Sequence, residues 1–187
     1  DDEVIAGVKF PQDSMVRRMK GPSGTKVVVT VQRDNVEIPF EITRAKIRTN
    51  SVEAHFMLND TTGYVRVSKF ASTTGEEFTK AVLDLLAGSM KELIVDLRGN
   101  TGGYFGQALT LSSLFFNNGE VIVYMEGLHR KRETYKAEHN GFFKDVPLKV
   151  LIDEGSASSS EIFAGAIQDN DRGVIIGRRS FGKGLVQ

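Results

Sequence analysis

From residue 53 onward, short apolar runs alternate with segments whose apolar residues recur at helical spacing. Segment 75–89 is of the second kind, because its apolar residues would share one face of a helix that a glycine ends. Strands are predicted at 53–60, 63–70, 91–99, 120–126, 148–154 and 173–177, and helices at 75–89, 107–116 and 159–168. Strands that alternate with helices indicate βαβ units and a largely parallel sheet, which is an α/β fold.

The first part of the chain has a different hydrophobic pattern. Residues 26–44 read as two alternating strands around the turn Arg33-Asp34-Asn35, which predicts a hairpin. Ahead of them, residues 14–20 predict a short helix that ends at Gly21 and Pro22. We therefore place a domain boundary near residues 45–50.

Composition excludes several classes of function. Lysine plus arginine and aspartate plus glutamate both number 24, so the formal net charge is zero and predicts no nucleic-acid surface. The chain has no cysteine, which rules out thiolate catalysis and zinc–cysteine sites. No apolar run reaches about 18 residues, so no membrane span is expected, and the opening DDEVIAG shows no signal-peptide pattern.

Candidate chemistry lies just after three predicted strands, where parallel sheets commonly place their sites. The three loops read GNTGG (99–103), GSASSSE (155–161) and RRSFGKG (178–184). A serine at a helix N-terminus has backbone N–H groups and the positive end of the helix dipole beside it, and both favour a developing oxyanion. Taken alone, each loop is more simply explained by a helix cap or a surface turn.

Two kinds of serine chemistry are possible for these loops. A Ser-His-Asp triad would need His55, His129 or His139. The first lies in an alternating strand, and the other two flank a charged stretch that reads as a solvated loop or hairpin. The GxSxG pattern is also absent. A Ser-Lys dyad needs one lysine made neutral by desolvation. Lys183, flanked by glycines, is the best placed, and we expect Phe181 and the surrounding apolar sheet to desolvate it.

A phosphate-binding loop is a further reading of the same lysine. Residues 177–183 match G-x-x-x-x-G-K, but Gly184 stands where a magnesium-binding Ser or Thr is required. No helical segment follows within the chain. We reject this reading.

Three segments together resemble the C-terminal processing peptidases, also called tail-specific proteases. They are GYVRVSKF…EEFTKAVLDLL, LIVDLRGNTGG and VLIDEGSASSSEIFAGAIQDNDRGVIIGRRSFGKGLVQ. The last segment fills every fixed position of the family's S-A-S-x-S-E, A-G-A-x-Q-D-x-x-R and F-G-K-G-x-V-Q patterns. The resemblance covers nearly the whole chain from about residue 50 and implies a crotonase-like α/β core.

The resemblance also implies roles for individual residues. By position, the family's nucleophile falls on Ser158, its general base on Lys183, and the glutamine that positions the lysine amine on Gln187. The implied oxyanion donors are the backbone N–H groups of Gly103 and Ser159. Asp169 and Arg172 match a supporting pair, although a surface ion pair at i,i+3 explains them about equally well.

The resemblance divides the chain into a partial PDZ-like part at 1–46 and a protease core at 47–187. The PDZ-like part lacks the first strand and the carboxylate-binding loop, and the family continues beyond the V-Q motif that closes this chain. The implied function is a serine endopeptidase that needs no cofactor and cuts near the C-terminus of protein substrates. The implied location is the periplasm or cell envelope.

Two other classes of function stay open. One is a catalytically silent peptide-binding module on the same fold. The other is an acyl-transfer or hydratase enzyme on a crotonase-like core, although we find no nucleotide-cofactor site for it in the sequence.

Overall fold

A computed structural model of the protein describes residues 4–5, 7, 9, 11–45 and 50–185. The chain divides into two compact units, residues 1–49 and 50–187. Gln187, for which the sequence predicts a role beside the lysine, lies outside the described residues.

The first unit contains one helix and one hairpin. Helix α1 spans Gln12–Met19, and strands β1 (Lys26–Arg33) and β2 (Val36–Thr43) pair antiparallel. Asp34 and Asn35 both have positive φ, 50° and 62°, the conformation that a tight two-residue hairpin turn requires. The hairpin and helix expected from the sequence are therefore present, and the identity of this unit as part of a PDZ domain stays a prediction.

The second unit alternates strands and helices, as the hydrophobic pattern predicts. Its elements are β3 (Val52–Met57), β4 (Thr62–Val67), α2 (Thr74–Ala87), β5 (Glu92–Asp96), α3 (Phe105–Ser113), β6 (Val121–Gly127), β7 (Arg130–Lys136), β8 (Leu148–Ile152), α4 (Ser159–Asp169) and β9 (Val174–Gly177).

The main sheet has five strands in the order β3-β4-β5-β8-β9. Strands β4, β5, β8 and β9 are mutually parallel, and β3 pairs antiparallel at one edge. Each parallel strand lies beside the previous one in the same direction, so right-handed crossovers place the connecting helices on one face. In agreement, α2 packs on β3 and β4, α4 packs on β9, and α3 contacts both of these helices.

The core lies between that helical layer and the sheet. Along β4 and β5, fully buried apolar residues (Val65, Val67, Leu93 and Val95) alternate with partly exposed ones, as expected for a strand with one face covered. Phenylalanine supplies much of the buried volume, through Phe70, Phe78, Phe115, Phe116, Phe143 and Phe163.

One predicted strand lies outside the main sheet. Strand β6 does not join β5 or β8 but pairs with β7 as a separate antiparallel hairpin. Strand β8 pairs directly with β5, so the sheet is continuous without β6. The charged segment around 129–139, expected to be a loop or a hairpin, supplies the second strand of that hairpin.

The architecture is an α/β fold with a mixed sheet, and its assignment to the crotonase-like class stays a prediction. In the described part of the chain, no helix combines the length and the apolar character that crossing a bilayer requires.

Candidate active site

Three loops meet beyond the carboxyl ends of β5, β8 and β9. This follows from the parallel pairing of these strands, because their carboxyl ends lie at the same edge of the sheet. The Ala157 N–H donates to the Asn100 carbonyl at 3.0 Å and so joins the first loop to the second. The Phe181 N–H donates to the Ser156 carbonyl at 3.0 Å and joins the second to the third. The loops singled out in the sequence are thus in direct contact.

Ser158 occupies the residue before helix α4 in an unusual backbone conformation. Its φ is 55° and its ψ is −115°, a region that residues with a Cβ rarely adopt. Such strain persists only where the surroundings hold it, and a sharp strand-to-helix turn of this kind exposes the nucleophilic serine of α/β-hydrolases. The conformation marks Ser158 as different from an ordinary helix cap, whose φ is negative.

The other three serines of the run are committed to the backbone. Ser156 and Ser160 are fully buried, and their hydroxyls donate at 2.8 Å to the carbonyls of Leu97 and Asn100. The Ser159 hydroxyl donates to the Gly103 carbonyl at 3.0 Å. Within the described residues, the Ser158 hydroxyl donates to no such carbonyl. Its oxygen instead faces the Glu161 N–H in a capping box. Ser158 is therefore the serine of this run whose hydroxyl proton is not committed to a backbone carbonyl.

The glycine loop after β5 lies against the nucleophile turn. A Cβ on Gly102 would come within 2.8 Å of the Ser158 Cβ, and a Cβ on Gly103 would come within 2.1 Å of the Phe70 carbonyl oxygen. Both glycines have positive φ, 99° and 148°. Gly102 and Gly103 are thus needed for close backbone approach, not for a flexible linker.

Two backbone N–H groups at this contact are unpaired. In the part of the chain that the structure describes, neither the Gly103 N–H nor the Ser159 N–H has a hydrogen-bond acceptor. Unsatisfied donors beside a helix N-terminus are suited to an oxygen that develops negative charge. These are the two donors that the sequence resemblance implies, and their role as an oxyanion hole stays a prediction.

Asn100 connects the loops and was missed by the sequence reasoning. The residue is fully buried, its side-chain amide donates to the Val67 carbonyl at 2.9 Å, and its side-chain oxygen accepts from the Gly102 N–H at 2.9 Å. Its own carbonyl accepts from Ala157 and Ser160. An asparagine between two turn glycines is the available sequence signal, because a buried amide there must find several partners.

Glu161 was also missed as a site residue, although the family pattern contains it. Its carboxylate accepts four hydrogen bonds, from the N–H groups of Ser158, Gly182 and Lys183 and from the Ser180 hydroxyl. Burial opposes ionisation, but these hydrogen bonds outweigh it and lower the pKa of Glu161. The signal was a Ser-x-x-Glu spacing at the start of a helix, which is typical of a capping box.

Lys183 and Ser158 line the same pocket, of about 680 Å³. The Lys183 side chain is exposed, and that of Phe181 is 70% exposed. The expectation that Phe181 desolvates the lysine is therefore wrong: the Phe181 N–H is tied to Ser156, and its ring points to solvent. Of the three histidines considered for a triad, none lines this pocket in the described chain, and His55 instead faces Asp84 at 3.6 Å.

Asp169 and Arg172 lie at the far end of α4 from Ser158. The helix has 11 residues, so its two ends are about 15 Å apart. Arg172 donates to the carbonyls of Phe115, Phe143 and Val146 at 2.7–2.8 Å. Among the described residues no ion pair joins Arg172 to Asp169, which is exposed. Arg172 supports the core beneath α4, and a role for either residue in the site stays a prediction.

Comparisons with known proteins point to one family. A probable CtpA-like serine protease of Staphylococcus saprophyticus is 31% identical over 178 residues, which are 95% of this chain and 36% of that protein. One of the same description from Staphylococcus aureus is 33% identical over 177 residues, 94% of this chain and 35% of that protein. The chain thus spans about a third of the length of these curated relatives.

The solved structure of the photosystem II D1 C-terminal processing protease matches 89% of this chain and 47% of its own, with a TM-score of 0.68 and 30% identity. The sequence profile of peptidase family S41 matches residues 61–187. That range is more than half of the chain and includes the three loops that meet around Ser158 and Lys183. The chain therefore belongs to peptidase family S41.

Proposed function

We propose that the chain carries the catalytic centre of a serine endopeptidase that cleaves near the C-terminus of protein substrates. Ser158 is the nucleophile and Lys183 the general base. The observation that carries the proposal is the strained backbone of Ser158, together with a pocket that both Ser158 and Lys183 line. Membership of peptidase family S41 and the described C-terminal processing activity of the D1 protease support the reaction class.

The reaction begins once bound substrate covers Lys183 and excludes water, so that its amine loses its proton and can accept that of the Ser158 hydroxyl. The serine oxygen forms a bond to the scissile carbonyl carbon, and the negative charge that develops on the carbonyl oxygen is held by the N–H groups of Gly103 and Ser159. The lysine then gives its proton to the leaving amine as the C–N bond breaks. Water hydrolyses the resulting ester, with the same amine as its base. In this scheme Gln187 orients the lysine amine.

The pocket beside Ser158 suits an apolar side chain of the substrate. Its walls include Phe105, Val123, Met125, Ile162 and Leu185, and the charged Glu126 and Arg130 also line it. A mainly apolar lining with a few polar and charged groups is typical of a substrate pocket. We infer that an apolar residue occupies this pocket when the peptide bond is cut.

Recognition of the substrate's C-terminus is assigned to the PDZ-like part of the protein. Domains of this kind add the substrate tail as a β-strand and bind its carboxylate through backbone groups. The described hairpin of β1 and β2 is compatible with that architecture. We also propose that the protein acts outside the cytoplasm, in the periplasm or cell envelope.

The proposal is tested with the Ser158→Ala variant of the protein. Mass spectrometry is used to measure the cleavage of an unstructured protein substrate. We expect cleavage to be abolished and the unfolding temperature to change little, because one partly buried hydroxyl contributes only about 1 kcal/mol. Ser113→Ala is the matched control, since that hydroxyl bonds to the Leu109 carbonyl on α3, outside the three site loops. Retained cleavage by Ser158→Ala would overturn the assignment of the nucleophile, whereas no cleavage by the unmodified protein would favour the silent peptide-binding alternative.

A further inference from the structure

The Glu161 carboxylate lies between the nucleophile turn and the lysine loop. Its Oε2 atom accepts from the Ser158 N–H at 2.9 Å and from the Lys183 N–H at 2.8 Å. Its Oε1 atom accepts from the Ser180 hydroxyl and from the Gly182 N–H, both at 2.7 Å. One oxygen atom therefore links the backbones of the two residues to which the proposed function assigns the chemistry.

We propose that Glu161 is a positioning residue, which holds the lysine loop (residues 180–183) in register with the Ser158 turn. The inference rests on the proposed function, which assigns the nucleophile to Ser158 and the general base to Lys183. Glu161 does not touch the reacting atoms in this scheme. It acts through backbone hydrogen bonds, which fix the position of the Lys183 main chain beside Ser158. The exposed Lys183 side chain is thereby held within reach of the serine.

A simple helix cap does not account for these contacts. A glutamate at the third position of a helix needs only the N–H of the capping residue, here Ser158, to complete a capping box. The remaining three hydrogen bonds come from a segment that follows β9 and belongs to another part of the fold. Capping would be equally complete without them.

The contacts also require a carboxylate in particular. All four partners are donors, and an ionised carboxylate offers about four acceptor positions on two oxygens. A glutamine has the same length but accepts on one oxygen only, and its NH₂ group would face two of the donors. Glu161→Gln therefore breaks one half of the link with almost no change in side-chain volume.

The neighbouring Glu154 supplies a matched control. It also lies between β8 and α4, and it also pairs with the C-terminal segment, through Arg178 at 2.7 and 3.0 Å. Both partners of that pair are exposed, and neither contacts Ser158 or Lys183. Glu154→Gln thus makes the same chemical change in the same region without touching the link.

The experiment has two readouts in the protein carrying Glu161→Gln. Amide hydrogen exchange is measured first, with Ser158→Ala also present so that activity plays no part. We expect the Gly182 and Lys183 amides to exchange about tenfold faster or more, and unchanged exchange in Glu154→Gln. Steady-state cleavage is measured next, without Ser158→Ala. We expect kcat to fall about a hundredfold with KM nearly unchanged, since small displacements of a catalytic group have effects of that size.

The outcomes separate the positioning role from the dyad itself. If the exchange rates and kcat of Glu161→Gln match those of Glu154→Gln, Glu161 does not position the site, whatever the nucleophile is. If exchange accelerates but kcat stays within about twofold, the link exists and catalysis does not depend on it, which also overturns the proposal. If Ser158→Ala stays active while Glu161→Gln loosens the loop, the assignment of the nucleophile fails instead.

Discussion

The hydroxyl of Ser159 donates to the carbonyl oxygen of Gly103 at 3.0 Å. These two residues carry the backbone N–H groups proposed to hold the oxyanion, and this hydrogen bond holds the two residues next to each other. An oxyanion hole stabilises the transition state only when its donors already point at the place where charge develops. The Ser159 side chain therefore contributes to the site even though its oxygen is not the nucleophile.

Ser159→Ala should lower kcat about tenfold and leave KM nearly unchanged. The substitution keeps both N–H donors but removes the hydrogen bond that holds Gly103 beside Ser159. Misplacement of a donor is expected to cost less than its loss. The measurement is steady-state cleavage of a peptide substrate, with Ser113→Ala as the reference. A kcat within twofold of the unmodified protein would show that the hydrogen bond is irrelevant to catalysis.

Lys183→Arg should be as inactive as Lys183→Ala. An arginine keeps the positive charge and the length, but a guanidinium does not give up its proton and so cannot act as a base. A loss of about a thousandfold in kcat is expected for removal of a general base. Lys149→Arg serves as the control, because Lys149 pairs with Glu92 on the sheet, away from the pocket. If Lys183→Arg keeps most of its turnover, Lys183 is not the base.

The ionised Glu161 should stabilise the protein at neutral pH and lose that effect in acid. Its pKa is lowered by the hydrogen bonds from Ser180, Gly182, Ser158 and Lys183, which outweigh its burial. A carboxyl with a lowered folded pKa contributes its full stability above the unfolded value, about 4.3, and loses it as the pH falls through the folded pKa.

This prediction is checked by urea unfolding of the protein and of Glu161→Gln across the acid range. The difference in free energy of unfolding should be largest at neutral pH and shrink steadily below about pH 4. Added salt should leave most of that difference in place. For Glu154→Gln, whose ion pair is exposed, high salt should remove what little effect there is. A difference between Glu161→Gln and the unmodified protein that grows in acid would contradict the argument.

Arg172→Met should destabilise the protein without removing activity from the folded fraction. Three carbonyl groups lose a charged donor, and burial already lowers the pKa of this arginine. The expected loss is about 2–4 kcal/mol. Arg178→Met, which removes only an exposed ion pair, should change stability by less than about 1 kcal/mol. A tenfold lower kcat in folded Arg172→Met would instead support the role in the site that the family resemblance implies.

The local hydrophobic pattern predicted the elements of the second unit well, because the spacing of apolar residues shows which face of each strand or helix is covered. The turn at Asp34 and Asn35 and the grouping of loops at one edge of the sheet were predicted for similar local reasons. The roles of Asn100 and Glu161 were not, since their partners lie far away in sequence and hydrogen bonding between loops leaves no periodic trace. The separate pairing of β6 was missed because strand periodicity does not specify the partner strand.

The order of the elements along the chain has a consequence for synthesis. Ser158 lies at the start of α4, whereas Lys183 follows β9, which must add to the sheet beside β8 before the lysine loop can reach Glu161. A nascent chain that has emerged only as far as α4 has its serine but neither its base nor three of the four donors to Glu161. The proposed peptidase would therefore be inert towards neighbouring chains on the ribosome until β9 and the lysine loop have been made and placed.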